Sequence, residues 1–156
     1  MYKLVRPLIF KASPDPENMH RVVMGLLRIV GQTAPLGWAE RRVFEFHDNK
    51  LKQNLFGLNF KNPVGLAGGF DKHAQAITGL ANLGFGFLEI GTVTRHAQPG
   101  NPRPRIFRLK EDEALINRMG FNNEGADALA KKLSLSKKLN IPLGINLGKS
   151  KITELA

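Results

Sequence analysis

The chain has 156 residues, 42% hydrophobic and 23% charged, enough for one domain with a core and unlike a disordered polymer. It has no cysteine, which excludes disulfides and thiolate metal sites, and no uninterrupted apolar run near the roughly 20 residues that span a bilayer. A net charge of +10 calls for an anionic partner, whether nucleic acid, a membrane surface or an anionic ligand.

The leading segment sets Leu4, Leu8 and Ile9 among Lys3, Arg6 and Lys11. Ser13-Pro14-Asp15-Pro16 then breaks the chain, and Asp15 before Pro16 is a helix start. Met19, Val22, Val23, Leu26, Leu27 and Val30 follow at spacings of three and four, with His20, Arg21 and Arg28 opposite. The spacing predicts an amphipathic helix ending at Gly31. It either packs on its own domain or dips its apolar face into a membrane interface, helped by the basic excess of positions 1–42. Leu51–Phe60 reads as a small hairpin turning near Gly57.

Pro63–Ala67 is a short apolar run behind a proline, which predicts a strand buried on both faces. Gly68 and Gly69 leave room against bare backbone. Asp71 is placed to cap a helix whose apolar positions are Ile77, Leu80 and Ala81 and which Gly84 ends. Lys72 falls in that helix's first turn, where a cation is disfavoured unless an anion is there too. An ordinary strand-to-helix turn with a solvated lysine is the other reading of this stretch.

Phe87–Val93 reads as a second strand and Ile141–Leu147 as a third. Between them a helix starting near Asn122 or Asn123 carries Ala126, Leu129, Ala130 and Leu133 on its buried side. Strands alternating with helices predict an α/β fold with a parallel sheet. The connection Thr94–Phe121 is longer than a plain loop needs. Its first part, His96–Leu109, reads as a lid-like excursion. Its second gathers Asn117, Arg118, Met119, Gly120 and Phe121 before the helix. The Asn117 amide suits a heterocycle's mixed donors and acceptors, whereas Asn122 and Asn123 read as turn and cap residues. Ligands in parallel α/β folds sit at the carboxyl ends of the strands, where Gly68, Gly69, Lys72, Thr92 and Asn146 converge with the Asn117 loop.

Neither a dinucleotide fingerprint nor a Walker loop occurs, and His20, His47, His73 and His96 lack the spacing of a zinc site. The basic residues are spread over all segments, with local doublets at Lys131-Lys132 and Lys137-Lys138, which argues against a nucleic-acid partner.

Taken in order and spacing, NPVGLAGGFDKH, FLEIGTVT, QPGNPRPRIFRL, LINRMGFNNEG and LGINLGKSK closely resemble successive motifs of the dihydroorotate dehydrogenases, from about Leu55 to Lys151. The helical extension in front resembles the membrane-associated, quinone-using class, in which two helices form an apolar entrance for the quinone. The resemblance implies a (β/α)8 TIM barrel, bound flavin mononucleotide (FMN) and oxidation of dihydroorotate to orotate in pyrimidine synthesis, with electrons passed to quinone. Carried over, Ala67, Gly68, Gly69, Phe70, Asp71, Thr92 and Asn146 would contact the flavin. Lys72 would face substrate and flavin together, and Asn117, Arg118, Met119, Gly120 and Phe121 would hold the orotate ring and its carboxylate. Residues 1–45 would be the quinone and membrane extension, attached peripherally on the cytoplasmic side of a bacterial inner membrane. Residues 46–156 would belong to the barrel.

One departure qualifies the match. Such a barrel takes roughly 250 residues and eight strands, but three strands follow Asn62. In the quinone-using class the general base is a serine on a later loop, within a motif that is not found here. The expectation is therefore an amino-terminal portion holding about the first three strand-helix units, with no catalytic base of its own and little activity alone. The alternative is a non-catalytic fragment that binds a partner chain or an anionic membrane surface.

Overall fold

A computed structural model describes residues 6–8, 10, 11 and 13–154, so Leu4 and Ile9 of the leading segment lie outside the described residues. In chain order the elements are α1 (Pro16–Gln32), α2 (Ala34–Phe44), β1 (Gln53–Leu55), β2 (Leu58–Phe60), β3 (Gly65–Leu66), α3 (Ile77–Asn82), β4 (Phe87–Thr94), β5 (Ile106–Leu109), β6 (Ala114–Asn117), α4 (Ala126–Ser134) and β7 (Leu143–Gly148).

The Asp15-Pro16 start behaves as its chemistry dictates. The Asp15 carboxylate accepts the Glu17 amide at 2.8 Å, and Pro16 occupies a position where no amide is needed. The apolar stripe divides: Val22 and Leu26 are 57% and 58% exposed, with Ile29 beside them at 56%, while Met19, Val23, Leu27 and Val30 are half-buried. The inward side carries Glu17 and Met24, both buried, with His20 and Leu27 half-buried. Close backbone contact explains why so few large side chains are needed there. A Cβ on Gly79 of α3 would lie 2.1 Å from the Leu27 carbonyl oxygen. A Cβ on Gly31 would lie 2.4 Å from the Gly79 nitrogen. Met24 reaches through, into a core with Ala76, Ile77, Leu80, Leu88 and Ile141, and Leu27 packs against that core. At Thr33 the chain bends by 108° into α2, which the apolar spacing did not single out.

β1 and β2 pair antiparallel around Phe56 and Gly57, both at positive φ, as the hairpin reading expects. The main sheet is parallel, in the order β3-β4-β7. β3 is shorter than expected and only half-buried, with Val64 60% exposed. The Asn62 side chain takes the Val64 amide at 3.0 Å, so the chain enters the sheet from a turn and not from an extended run. α4 begins at Ala126, later than Asn122 or Asn123, because the Asn123 side-chain oxygen is already spent on the Gly125 amide at 2.9 Å and the Thr94 amide at 3.2 Å. Leu129 is buried and Leu133 half-buried, as expected, while Ala130 is exposed. The long connection contains the antiparallel β5–β6 hairpin, which rests on α1.

Candidate functional site

The loop after β3 is pinned from both sides by Asp71, which is 2% exposed. Its carboxylate accepts the Gln75 and Ala76 amides, each at 2.9 Å, and its carbonyl accepts the Gly91 amide of β4 at 3.2 Å. Asp71 thus serves the approach to α3 as a cap would, but the helix begins only at Ile77. Lys72 is therefore on the loop and not in a helix's first turn, and the dipole argument for its anion does not apply. A different argument replaces it. The half-buried Lys72 ammonium donates to Asn122 Oδ1 at 3.0 Å and meets Met119 Sδ at 3.4 Å, both neutral. Burial, reinforced by the Arg105 charge, pushes the Lys72 pKa below its ordinary value. A desolvated cation with neutral partners favours an anion beside it.

That ammonium faces a cavity of about 330 Å³, which Gly69, Phe70, Asp71, Asn117 and Met119 also line. Glu17, His20, Arg103 and Asn122 join them from α1 and the excursion. Gly69 sits at φ 99°, and a Cβ there would meet nothing within 4 Å, so the glycine leaves open space at the cavity wall. Asn117 spends its side-chain oxygen on the Met119 amide at 3.0 Å, a turn duty, while Asn122 holds the lysine. The two asparagines thus exchange part of the roles their sequence positions suggested. Arg118, Gly120 and Phe121 do not line this cavity. Arg118 lies over the Phe107 ring at 5.5 Å, the Gly120 carbonyl accepts from Gln98, and Phe121 is 56% exposed.

A second polar cluster stands at the carboxyl ends of the three parallel strands. The β4–β7 register shifts between Gly91 and Val93, freeing Thr92 from the ladder. Its hydroxyl donates to Asn146 Oδ1 at 2.5 Å, and Asn146 Nδ2 donates to Glu89 Oε1 at 2.7 Å. Gly68 lies against this chain, its Cβ position 2.8 Å from the same Glu89 oxygen. Ala67 is exposed beside it. Thr92, Asn146 and Gly68 therefore come together, but none of the three lines the cavity that Gly69, Lys72 and Asn117 share. Glu89 was not singled out, since one acid in an apolar strand carries no spacing signal.

A larger cavity of about 960 Å³ lies between α1 and the β5–β6 hairpin, with Phe10, Met19, Val23, Leu109 and Leu115 among its apolar walls and Arg108 at its side. Pro16, His20, Phe70 and Leu115 line both cavities. The His20 and Phe70 rings meet edge to face, centroids 4.9 Å apart, and form part of the wall that the two cavities share.

Burial holds the pKa of His20 and of His73 below the ordinary 6.5. The unfolded chain then takes up protons before the native one, so stability is full above about pH 6.5 and is lost as pH falls from there. Glu17, held below the ordinary carboxylate value first by its hydrogen bond to Arg105, adds a second loss at more acidic pH. Urea midpoints should therefore fall from pH 7.5 to about pH 5 and fall further below it. A flat profile would show that neither histidine is buried in the neutral form.

Comparison with known proteins follows the same residues. A family model described as dihydroorotate dehydrogenase matches residues 50–155. A dihydroorotate dehydrogenase (quinone) of Gloeobacter violaceus is 57% identical over 99% of this chain and 43% of its own length. The Nostoc punctiforme protein of the same name is 53% identical, again over 99% and 43%. Among solved structures, ligand-free DHODH from Eimeria tenella matches with a TM-score of 0.75 at 40% identity, covering 91% of this chain and 40% of that one. The chain thus spans under half the length of these relatives.

Proposed function

The chain belongs to the dihydroorotate dehydrogenase family, and on that premise we propose that it forms the cavity-bearing part of a quinone-using enzyme that oxidises dihydroorotate to orotate in pyrimidine synthesis. Its α/β architecture is that of the TIM-barrel family, and the parallel strands β3, β4 and β7 are read as belonging to its first three strand-helix units. The observation that carries the proposal is the pairing of the half-buried Lys72 ammonium, among the described residues, with the neutral acceptors Asn122 and Met119 at the wall of a small cavity. A planar, anionic heterocycle answers both the charge and the amides of Asn117 and Asn122.

In this reading Lys72 binds the substrate's anionic edge, and Asn117 and Met119 shape the cavity around the ring. Arg118, Gly120 and Phe121 contribute by fixing the loop, since in this structure they stand outside the cavity. Oxidation removes a proton from one ring carbon and a hydride from its neighbour. Bound FMN would supply the hydride acceptor and the route of electrons to quinone. The residues present fit such a group: Gly69 leaves open space at the wall, Phe70 and Asp71 stand beside it, and the Thr92–Asn146–Glu89 chain presents fixed polar atoms at the strand ends. The apolar chamber behind His20 and Phe70 has the chemistry of a quinone entrance. The outward stripe of α1 has that of a peripheral membrane contact. No single helix among the described residues is long and apolar enough to cross a membrane.

A general base for the departing proton is not among the residues assigned here, so this chain alone is expected to form little orotate. Purified chain, FMN, dihydroorotate and a soluble quinone would be assayed for orotate, alongside calorimetric titration with orotate itself. Orotate binding without turnover is the expected result. Turnover near that of a complete enzyme would sink the claim about the base, and absence of orotate binding would sink the cavity assignment.

A further inference from the structure

A buried ion pair joins the amino-terminal helix to the rim of the smaller cavity across most of the chain. Glu17, 6% exposed, receives Arg105 through both carboxylate oxygens, Nε to Oε2 at 3.0 Å and Nη2 to Oε1 at 2.8 Å. Arg103 adds a contact to Oε1 at 2.7 Å. Arg105 itself is 5% exposed and spends its remaining nitrogen on the carbonyls of Pro99 and Asn101, at 2.8 and 3.0 Å. Asn101 then grips the segment that rims the cavity. Its amide donates to the Met119 carbonyl at 2.9 Å and its side chain to the Arg118 carbonyl at 2.7 Å. The Arg118 amide returns to the Arg105 carbonyl at 2.9 Å. Met119 ends the series against the Lys72 ammonium.

We infer that Glu17 is a positioning residue, acting through Arg105 and Asn101 to set where the Arg118–Met119 segment stands against Lys72, and so how tightly the cavity holds a planar carboxylate. The chemistry favours this over a purely structural pair. A buried pair is a weak source of stability, because desolvation offsets its attraction. The planar, two-pronged fork is suited to fixing direction as well as distance. Every donor of Arg105 used here is aimed at α1 or at the turn that holds the rim, and none at the main sheet.

The ligand in this inference rests on the orotate reading above, so the test has one arm that needs no ligand. In the full chain, Glu17→Gln keeps the shape and removes the charge, Arg105→Lys keeps the charge and removes the fork, and the exposed Asn101→Asp breaks the far end without touching the buried pair. Amide hydrogen exchange should speed up about ten-fold or more at Asn101 and Arg118 in the first two variants, while β4 amides keep their protection. Orotate affinity, measured by calorimetry, should fall about ten-fold in all three, the equivalent of one well-placed hydrogen bond. Unchanged exchange in Glu17→Gln would overturn the inference, as would faster exchange with unchanged affinity. Arg105→Lys behaving like the parent would show that charge alone matters and would also overturn it. Should either buried variant unfold, Asn101→Asp still decides, since unchanged affinity there breaks the series. If the parent chain takes up no orotate, the ligand reading falls while the exchange arm still judges the coupling.

Discussion

Replacing Lys72 with methionine is expected to weaken orotate binding roughly ten- to hundred-fold, the range of a hydrogen bond to a charged group, while leaving the fold as stable as before or more so. The two effects have opposite signs for a physical reason. The ammonium is half-buried, its partners Asn122 and Met119 are neutral, and burial already pushes its pKa down, so the charge costs the empty fold something. Methionine keeps the apolar stem and removes that cost. A lysine kept for structure would show the reverse pattern, lost stability with little change in binding. The same reasoning gives a pH dependence. Binding an anion requires the protonated amine, so affinity should decline as pH rises through a value below the ordinary 10.5. Calorimetry on parent and variant, with thermal denaturation of each, checks both halves. Equal orotate affinity in the variant would remove Lys72 from the site.

The parallel order of β3, β4 and β7 and the hairpin at Gly57 were legible because each rests on local pattern: apolar runs between turn residues, and a glycine where φ must be positive. Tertiary competition explains the parts that were not. Periodicity identifies which residues of α1 share a face but not which face meets protein. The inward side turned out to mix Glu17 and His20 with Met24 and Leu27, since Glu17 meets Arg105 and glycine contacts let α1 and α3 approach closely. The β5–β6 hairpin was hidden because its strands carry Arg108 and Asn117 among apolar residues and pair only with each other. Asn122 looked like a cap and Asn117 like a ligand group, yet the first holds Lys72 and the second holds a turn. Nothing in their spacing distinguishes two asparagines five positions apart, because the acceptor that Lys72 needs comes from a loop that Asn123 ties to Thr94, while Asp71 fixes the loop of the lysine itself.

Changing Val22, Leu26 and Ile29 together to glutamine should reduce binding to lipid vesicles by about a hundred-fold, the largest effect expected outside the cavity. The three residues follow one another at helical spacing and are each more than half exposed. Trp38, Val43 and Phe44 of the bent second helix add further exposed apolar surface, at 56%, 74% and 56%. Arg21, Arg28 and Arg42 stand exposed among them, and the Arg42 guanidinium lies 5.2 Å from the centre of the Trp38 ring. An apolar stripe rimmed by arginines and an indole has the composition expected of a helix lying in the headgroup region. Full burial of one such side chain contributes about 1.5–3 kcal/mol. Taking about 1 kcal/mol each for shallow insertion gives about 3 kcal/mol for the three, hence the hundred-fold figure. Glutamine is chosen because it keeps helix propensity and adds no charge, so α1 should stay folded with Met24 in the core. Flotation with vesicles containing anionic lipid would measure it, with purely zwitterionic vesicles separating the arginine contribution from the apolar one. Undiminished flotation of the triple variant would assign membrane attachment to another surface. It would leave the outward stripe of α1 without the lipid partner its chemistry calls for.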